Sequence, residues 1–503
     1  MADPASTPLQ ANANIQGNVL AGFNKDQQVL LFVSFPTADI EREWLKGLLP
    51  RIAHNDQVAG FNVRFSARRR QSGSDPADML AVWTNVSFTA AGIAQLDEAA
   101  VDSIRSRTAL DAGLQHWLDG AAHPDVLAAV GDDGPANTPD NWLFGHDSDQ
   151  IHAVVCVAAD RVQDLDLELA RHRESAATLG YRIVFEQSGA TLPGAAAGHE
   201  HFGFKDGISQ PGVTGFDESD PVHTEQVKGK LGTDLVAPGD FVLGYQRDPL
   251  NGADAPVVVP RWMWDGSFLV TRRLAQDVAG FWSNVEEQYK TLPEGALRND
   301  PGTGIPSSDA FAARLVGRWR SGTPTDREPV ADVRSAQDPA HDNDFDFAGD
   351  PNGDTTPAVA HIRKVYPRSG AAKAPITVTE DDTKVHRIIR RGIPYGLPFA
   401  PTGGRGEGVD AERGLLFQCY QASLHDQFVF LQQAWVNNPG FPAPDTGDDP
   451  VIGKDSDITI RGGGQTATAH FAQWVHTRGS LFSFTPSIAT LTSLAVGTPL
   501  SDV

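Results

Sequence analysis

Cysteine is nearly missing from this chain, with only Cys156 and Cys419 among 503 residues. Two thiols so far apart exclude a disulfide framework and lack the spacing of a zinc or iron-sulfur site. Each sits in a short apolar run, 154–157 and 415–420, so both read as buried free thiols. Also missing is any apolar stretch near the ~20 residues that span a bilayer. The N-terminal Met1-Ala2-Asp3-Pro4-Ala5-Ser6 has no basic region followed by an apolar one. The expectation is a cytoplasmic chain with no membrane partner, a processed secreted form being left open. Positive charge is scarce too: 41 Lys plus Arg stand against 64 Asp plus Glu, a formal charge of −23. Such a surface repels nucleic acid and anionic lipid, so neither is expected as a partner.

What is present is ordinary for a loop-rich globular protein, with 40% hydrophobic and 21% charged residues. The length exceeds what one hydrophobic core usually serves, so two domains are expected. Short β-rich bursts occur at 29–35, 81–88, 152–157, 182–187, 241–245, 267–271, 415–420 and 481–486. Helical stretches fall at 40–49, 160–180, 273–292, 309–320 and 423–437, the second opening at Asp160 and closing at Gly180. This irregular order favours α+β architecture with antiparallel sheets over a doubly wound parallel sheet. Polar or Gly/Pro-rich connectors lie at 192–198, 219–221 and 401–408, and the middle one divides the chain into 1–218 and 219–503.

Three constellations carry possible chemistry. In the run 199–211, His199-Glu200-His201-Phe202-Gly203-Phe204-Lys205-Asp206-Gly207-Ile208-Ser209-Gln210-Pro211, glycines and a proline place Asp206 on a tight loop that a flat ligand can approach. In 360–368, His361 is followed by Arg363, Lys364 and Arg368; a neutral imidazole suits haem iron, and guanidiniums suit carboxylates. In 385–396, strand alternation puts His386, Ile388 and Arg390 on one face and Arg387, Ile389 and Arg391 on the other. Periodicity alone does not choose between Arg390 and Arg391 as the inward one.

Taken together and in this order, the three elements resemble the dye-decolorizing peroxidase family. The likeness extends over most of the chain, through 14–20, 241–245, 266–270, 414–417 and 484–487. It implies a fold of two ferredoxin-like α+β domains with antiparallel β-sheets and peripheral helices. It also implies one haem b per chain, held mainly by the C-terminal domain, with His361 as the axial iron ligand and Asp206 and Arg390 on the opposite, distal side. Gly392 stands where some relatives carry Asn. Hydrogen peroxide would be reduced and bulky aromatic donors oxidised, through a ferryl porphyrin radical. A carboxylate suits the proton transfer this requires, and a guanidinium beside it suits the charge developing on oxygen.

The resemblance further implies that Arg363 and Arg368 meet the haem propionates and that Asp449 backs the axial His. Leu415 and Phe417 would form an apolar lid, and Trp435 would act as a surface aromatic that relays electrons from donors too large for the pocket. The tail 493–500 reads by default as a frayed end, and is similar to the segment that loads some bacterial relatives into protein nanocompartments, with Pro499 as a departure. The oligomeric state is left open.

Other readings compete. His199, Glu200 and His201 resemble a hydrolase metal site, since residues two apart on a strand share a face, but no third ligand suggests itself. Asp342-x-Asp344-x-Asp346 resembles a calcium loop without its sixth-position Gly and twelfth-position Glu. A haem-binding or haem-handling protein of the same fold, with incidental peroxidase activity, is the rival from another class.

Overall fold

The computed structural model describes residues 8–106, 111–146, 150–249, 258–293, 307–333, 339–368, 378–399, 412–462 and 464–502. Runs rich in Val, Ile, Leu, Phe and Thr favour extended backbone. The strands in chain order are β1 (Gln27–Ser34), β2 (Val82–Phe88), β3 (Ala153–Ala159), β4 (Arg182–Ala190), β5 (Gly212–Val213), β6 (Leu235–Val236) and β7 (Ser267–Gln276). They continue with β8 (Ile389–Arg390), β9 (Ile393–Tyr395), β10 (Gly414–Gln421), β11 (Ser456–Gly462), β12 (Gln465–Phe471) and β13 (Val475–Thr485).

Nine strands form one sheet in the order β4-β1-β3-β2-β13-β7-β10-β8, with β9 also paired to β10. Its pairings are all antiparallel. The first four strands have the fourth strand beside the first and the third between the first and second. The group β13-β7-β10-β8 repeats that order, so the fold is α+β with two ferredoxin-like units side by side. They meet where Phe88 of β2 pairs with Phe484 of β13. At the far edges β4 approaches β9: a Cβ on Gly189 would lie 2.6 Å from Ile393 Cγ2 and 2.9 Å from the Pro394 carbonyl oxygen. Only glycine permits that approach.

Both faces of the sheet are covered. Along β1, Val29, Leu31 and Val33 enter one core with Trp44, Leu45 and Leu169 of the helices Ala38–Leu48 and Val162–Leu179, whereas Leu30 and Phe32 enter another. A third apolar cluster joins Phe202, Phe204, Phe281, Phe311 and Ile458, beside the C-terminal unit. Both cysteines are buried and unpaired. Among the described residues no helix is long and apolar enough to cross a membrane.

Several expectations need correction. Segment 241–245 is no strand: it follows a 3-10 turn at Pro238–Asp240, and Gly244 takes φ +92° against Trp264. Asp160 does not cap its helix but accepts from Lys25 Nζ and the Ala81 N–H, so the helix starts at Val162. The helix expected from 273 begins at Val278, because β7 runs on to Gln276 and Asp277 caps the turn through the Gly280 N–H. The hairpin β11–β12 was not anticipated. The boundary expected at 218/219 falls inside a small folded unit, in which β5 pairs with β6 and the Lys228 N–H donates to the Glu218 carbonyl. The connector at 401–408 lies outside the described residues. The tail is not a loose peptide: Leu500 is 1% exposed and its N–H donates to Asp97 Oδ2.

Candidate active site

Pleating of the C-terminal unit creates the site. Arg272, Leu274 and Gln276 of β7 point to one face together with Leu415 and Phe417 of β10, Leu274 being opposite Leu415 and Arg272 opposite Phe417. They form one wall of a cavity of about 270 Å³. The remaining walls come from the loop 200–209, the helix His361–Val365, the segment 386–390 and the helical stretches Leu424–Val429 and Leu431–Val436. Much of the lining is apolar, from Phe204, Leu274, Ile388, Leu415, Phe417 and Val451.

His361 opens its short helix at the cavity wall. Its Nδ1–H donates to Asp449 Oδ2 at 2.8 Å, which leaves Nε2 as the ring nitrogen able to ligate. Asp449 is 1% exposed, and its other oxygen accepts the N–H groups of Val451 at 2.8 Å and Ile452 at 3.1 Å. Burial alone would lower the His361 pKa, but the charge and hydrogen bond of Asp449 outweigh it and raise it. Burial would likewise raise Asp449, yet His361 and the two amides hold it below the usual carboxylate value. A carboxylate on the second ring nitrogen fixes the tautomer and makes the free nitrogen a stronger donor.

The loop carrying Asp206 is shaped by Gly203 at φ +93° and Gly207 at φ +75°. A Cβ on Gly203 would also lie 2.4 Å from Arg320 Nη1. The Asp206 N–H donates to the Gly198 carbonyl, and the Gly207 N–H donates to Asp206 Oδ1 at 2.6 Å. Arg390 Nη2 stands 3.7 Å from the same oxygen, an open pair with side chains 42% and 27% exposed. Strand and loop are tied by Gln210, whose Nε2 donates to the Arg390 carbonyl at 2.9 Å while its Oε1 accepts the Arg390 N–H at 3.1 Å. The choice between neighbouring arginines is thereby made. Arg391 points the other way and donates to the carbonyls of Asn18 and Leu20.

Glu200 lies in the same wall and is consumed by the fold. Its oxygens accept from the Phe202 and Phe204 N–H groups and from Gln276 Nε2, and burial pushes its pKa up to about 7. The hydrolase reading loses its ligands: His201 Nε2 sits 2.8 Å from the Tyr395 carbonyl, and His199 Nδ1 is 3.1 Å from the Ala197 carbonyl. Among the described residues no three His, Cys, Asp or Glu are grouped to hold a metal ion. The acidic run is likewise occupied. Asp344 pairs with Arg327 and His341, and Asp346 accepts the Ala348 N–H.

The other anticipated residues divide. Leu415 and Phe417 line the cavity, and so does Arg368, which has φ +54° and donates to the carbonyls of Gly232, Asn343 and Phe345. Arg363 does not. It is fully buried, donating to the carbonyls of Thr356 at 2.8 Å and Asp350 at 2.9 Å above the Phe347 ring. Helical geometry explains the correction, because a residue two places beyond His361 is turned about 200° around the axis. Trp435 also needs correction: it is 5% exposed, not on the surface. It packs edge-on to His386 at 5.2 Å and stacks on Phe441 at 5.2 Å, while His386 itself lines the cavity. Sequence reasoning gave no role at this cavity to Gln210, Arg272, Tyr366 or Arg387. Alternation along 272–276 was the available signal for Arg272 and Gln276, hidden by reading that stretch as helix.

Comparison with known proteins matches two regions of the chain. Residues 14–188 match the model of the DyP dimeric alpha+beta barrel domain, and residues 253–441 match that of the Dyp-type peroxidase C-terminal region. A dye-decolorizing peroxidase of Exidia glandulosa is 32% identical over 498 residues, covering 95% of this chain and 86% of that protein. The multifunctional dye peroxidase DyP2 of an Amycolatopsis strain is 30% identical over 95% of each chain. Among solved structures, an ancestral D-type dye decolorizing peroxidase superposes with TM-score 0.75 at 31% identity, over 97% of this chain and 100% of the other. A fungal DyP-type peroxidase from Auricularia auricula-judae gives TM-score 0.73 at 27% identity, over 98% and 99% of the two chains. With both family models matched, relatives of 30% identity or more along most of its length and the same fold, the chain belongs to the dye-decolorizing peroxidase family.

Proposed function

We propose that this chain is a haem peroxidase that reduces hydrogen peroxide and oxidises bulky aromatic donors, dyes among them, using one haem b held in the cavity. One observation carries the reading: a single cavity brings together an imidazole backed by a buried carboxylate and a carboxylate–guanidinium pair. The residues suit the group. Apolar walls accept a porphyrin, His361 Nε2 is free to ligate iron, and Lys205, Arg318, Arg368 and Arg387 put cations along the wall for its carboxylates.

Bound there, haem supplies the redox chemistry, taking two electrons' worth of oxidising power from peroxide and delivering it in single-electron steps. The protein's part is proton movement, charge and access. Asp206 takes the proton from one peroxide oxygen and returns it to the other, which departs as water. Arg390 stabilises negative charge on the oxygen as the bond breaks. Asp449 keeps the His361 ring oriented and electron-rich. Leu415 and Phe417 narrow the cavity, so large donors deliver electrons from outside. We assign their route to Trp435, which reaches the cavity wall through His386.

Turnover with two donors tests this reading. Purified chain should oxidise an anthraquinone dye and a small phenol only when hydrogen peroxide is supplied. Trp435→Phe should slow the dye severalfold and leave the phenol unchanged, since peroxide and small donors do not use that route. Oxidation without peroxide would defeat the peroxidase reading. Equal loss on both donors would remove Trp435 as the relay.

A further inference from the structure

The cavity's arginines are unequally occupied. Arg272 donates to Asp132 and Thr477, and Arg318 donates to the carbonyls of Gly322 and Asp342 and to Asn343 Oδ1. Arg368 is held by three carbonyls, and Arg390 faces Asp206. Arg387 differs. It lines the cavity and is 9% exposed, yet among the described residues its guanidinium makes no hydrogen bond or ion pair. Its nitrogens are not sealed within protein, so acceptors can still reach them.

A guanidinium keeps its charge at any ordinary pH and carries five N–H donors in a planar fork. Withdrawing it from water with no acceptor is costly, which makes an unspent arginine on a cavity wall a receptor for an anion. The side chain is also held ready. Its Cζ lies over the Tyr366 ring, 3.7 Å from the centroid, and the Tyr366 hydroxyl is fixed by the carboxylates of Asp234 and Glu380. Gln427 Nε2 donates to the Arg387 carbonyl, anchoring the backbone as well. Arg368 crosses the same ring at 4.6 Å, so two cations flank one aromatic platform. Lys205 also lines the cavity without an ion-pair partner among the described residues, but it is more exposed and gains less from a carboxylate.

We propose that Arg387 binds a carboxylate of the cofactor, a haem propionate, and so performs the role that sequence spacing had suggested for Arg363. Planarity matters here. Two parallel N–H donors match one carboxylate, and the Tyr366 ring beneath Cζ restricts the freedom of the guanidinium before it binds.

The test uses holoprotein loaded with haem or with haem dimethyl ester, which has the same ring and iron but no free carboxylate. The readout is the rate at which each cofactor passes to a haem-scavenging apoprotein, followed by absorbance. Wild type should release the ester faster than haem by about tenfold to a hundredfold, the range for a hydrogen-bonded ion pair. In Arg387→Met the haem rate should rise and the ratio of the two rates should shrink towards one, and Arg387→Lys should recover part of the difference. If Arg387→Met keeps the wild-type ratio of the two rates, whether or not both rise together, Arg387 acts through packing and the proposal is wrong. The inference rests on the haem reading, but the two fail differently. A wild-type chain that holds no haem defeats that reading, whereas an unchanged ratio in a haem-loaded variant defeats only the role of Arg387.

Discussion

Asp206→Asn should react with hydrogen peroxide about 10²–10⁴ times more slowly than wild type, the usual consequence of losing one proton-transfer catalyst. Asn preserves size and polarity and still accepts the Gly207 N–H, so the loop geometry survives while the base is removed. Arg390→Leu should cost at least a comparable factor, because it removes the cation that stabilises negative charge on the breaking peroxide bond. The two effects should not add fully. The groups stand 3.7 Å apart and serve the same step, so the double variant should be slower than wild type by less than the product of the two single factors. Stopped-flow absorbance at several peroxide concentrations provides the rates. Asp206→Asn reacting at the wild-type rate would show that Asp206 is not the base and would leave the proton step to Arg390 with water.

His361→Ala should bind little haem and lose nearly all turnover while remaining folded. Among the described residues no other imidazole opens on that wall, and its helix is held by other contacts, including Lys364 Nζ to the Asn438 and Gly447 carbonyls. Stability should fall by about 1–3 kcal/mol, because the Asp449 carboxylate loses the His361 donor but keeps its two amide donors. The ratio of Soret to protein absorbance reports the cofactor, and far-ultraviolet circular dichroism with a thermal melt reports the fold. A normal Soret band with normal turnover would remove His361 as the ligand.

The parts of the site that could be read from sequence are those whose chemistry and placement are both local. Asp206 sits between glycines that force a tight loop, and His361 begins a helix at a wall, so residue type and backbone carry the signal together. Arg363 misled because proximity in sequence is not proximity in space: two steps along a helix turned it into the Thr356 and Asp350 carbonyls. The missed Arg387 stands far along the chain and reaches the cavity only because the segment 386–390 folds beside β10. Alternation separated Arg390 from Arg391, yet the side facing the cavity depends on β10 and on Gln210, 180 residues away from Arg390. The resemblance implied a surface Trp435, whereas Phe430 and Phe441 pack against its ring. The fold behaved similarly. Apolar strands of the sheet declared themselves, while the polar hairpin β11–β12 did not, although Gly462 and Gly464 mark its turn. Long-range pairing, such as β2 with β13, has no local signature at all.

The most direct measurement is an optical spectrum of the purified chain before and after one equivalent of hydrogen peroxide, followed by an aromatic donor. The account predicts a Soret band that changes within the mixing time of a stopped-flow instrument and returns to its starting form as the donor is consumed. A chain without a Soret band, or one whose Soret band ignores peroxide, would contradict it; the second result would indicate a protein that carries haem without using it as a peroxidase.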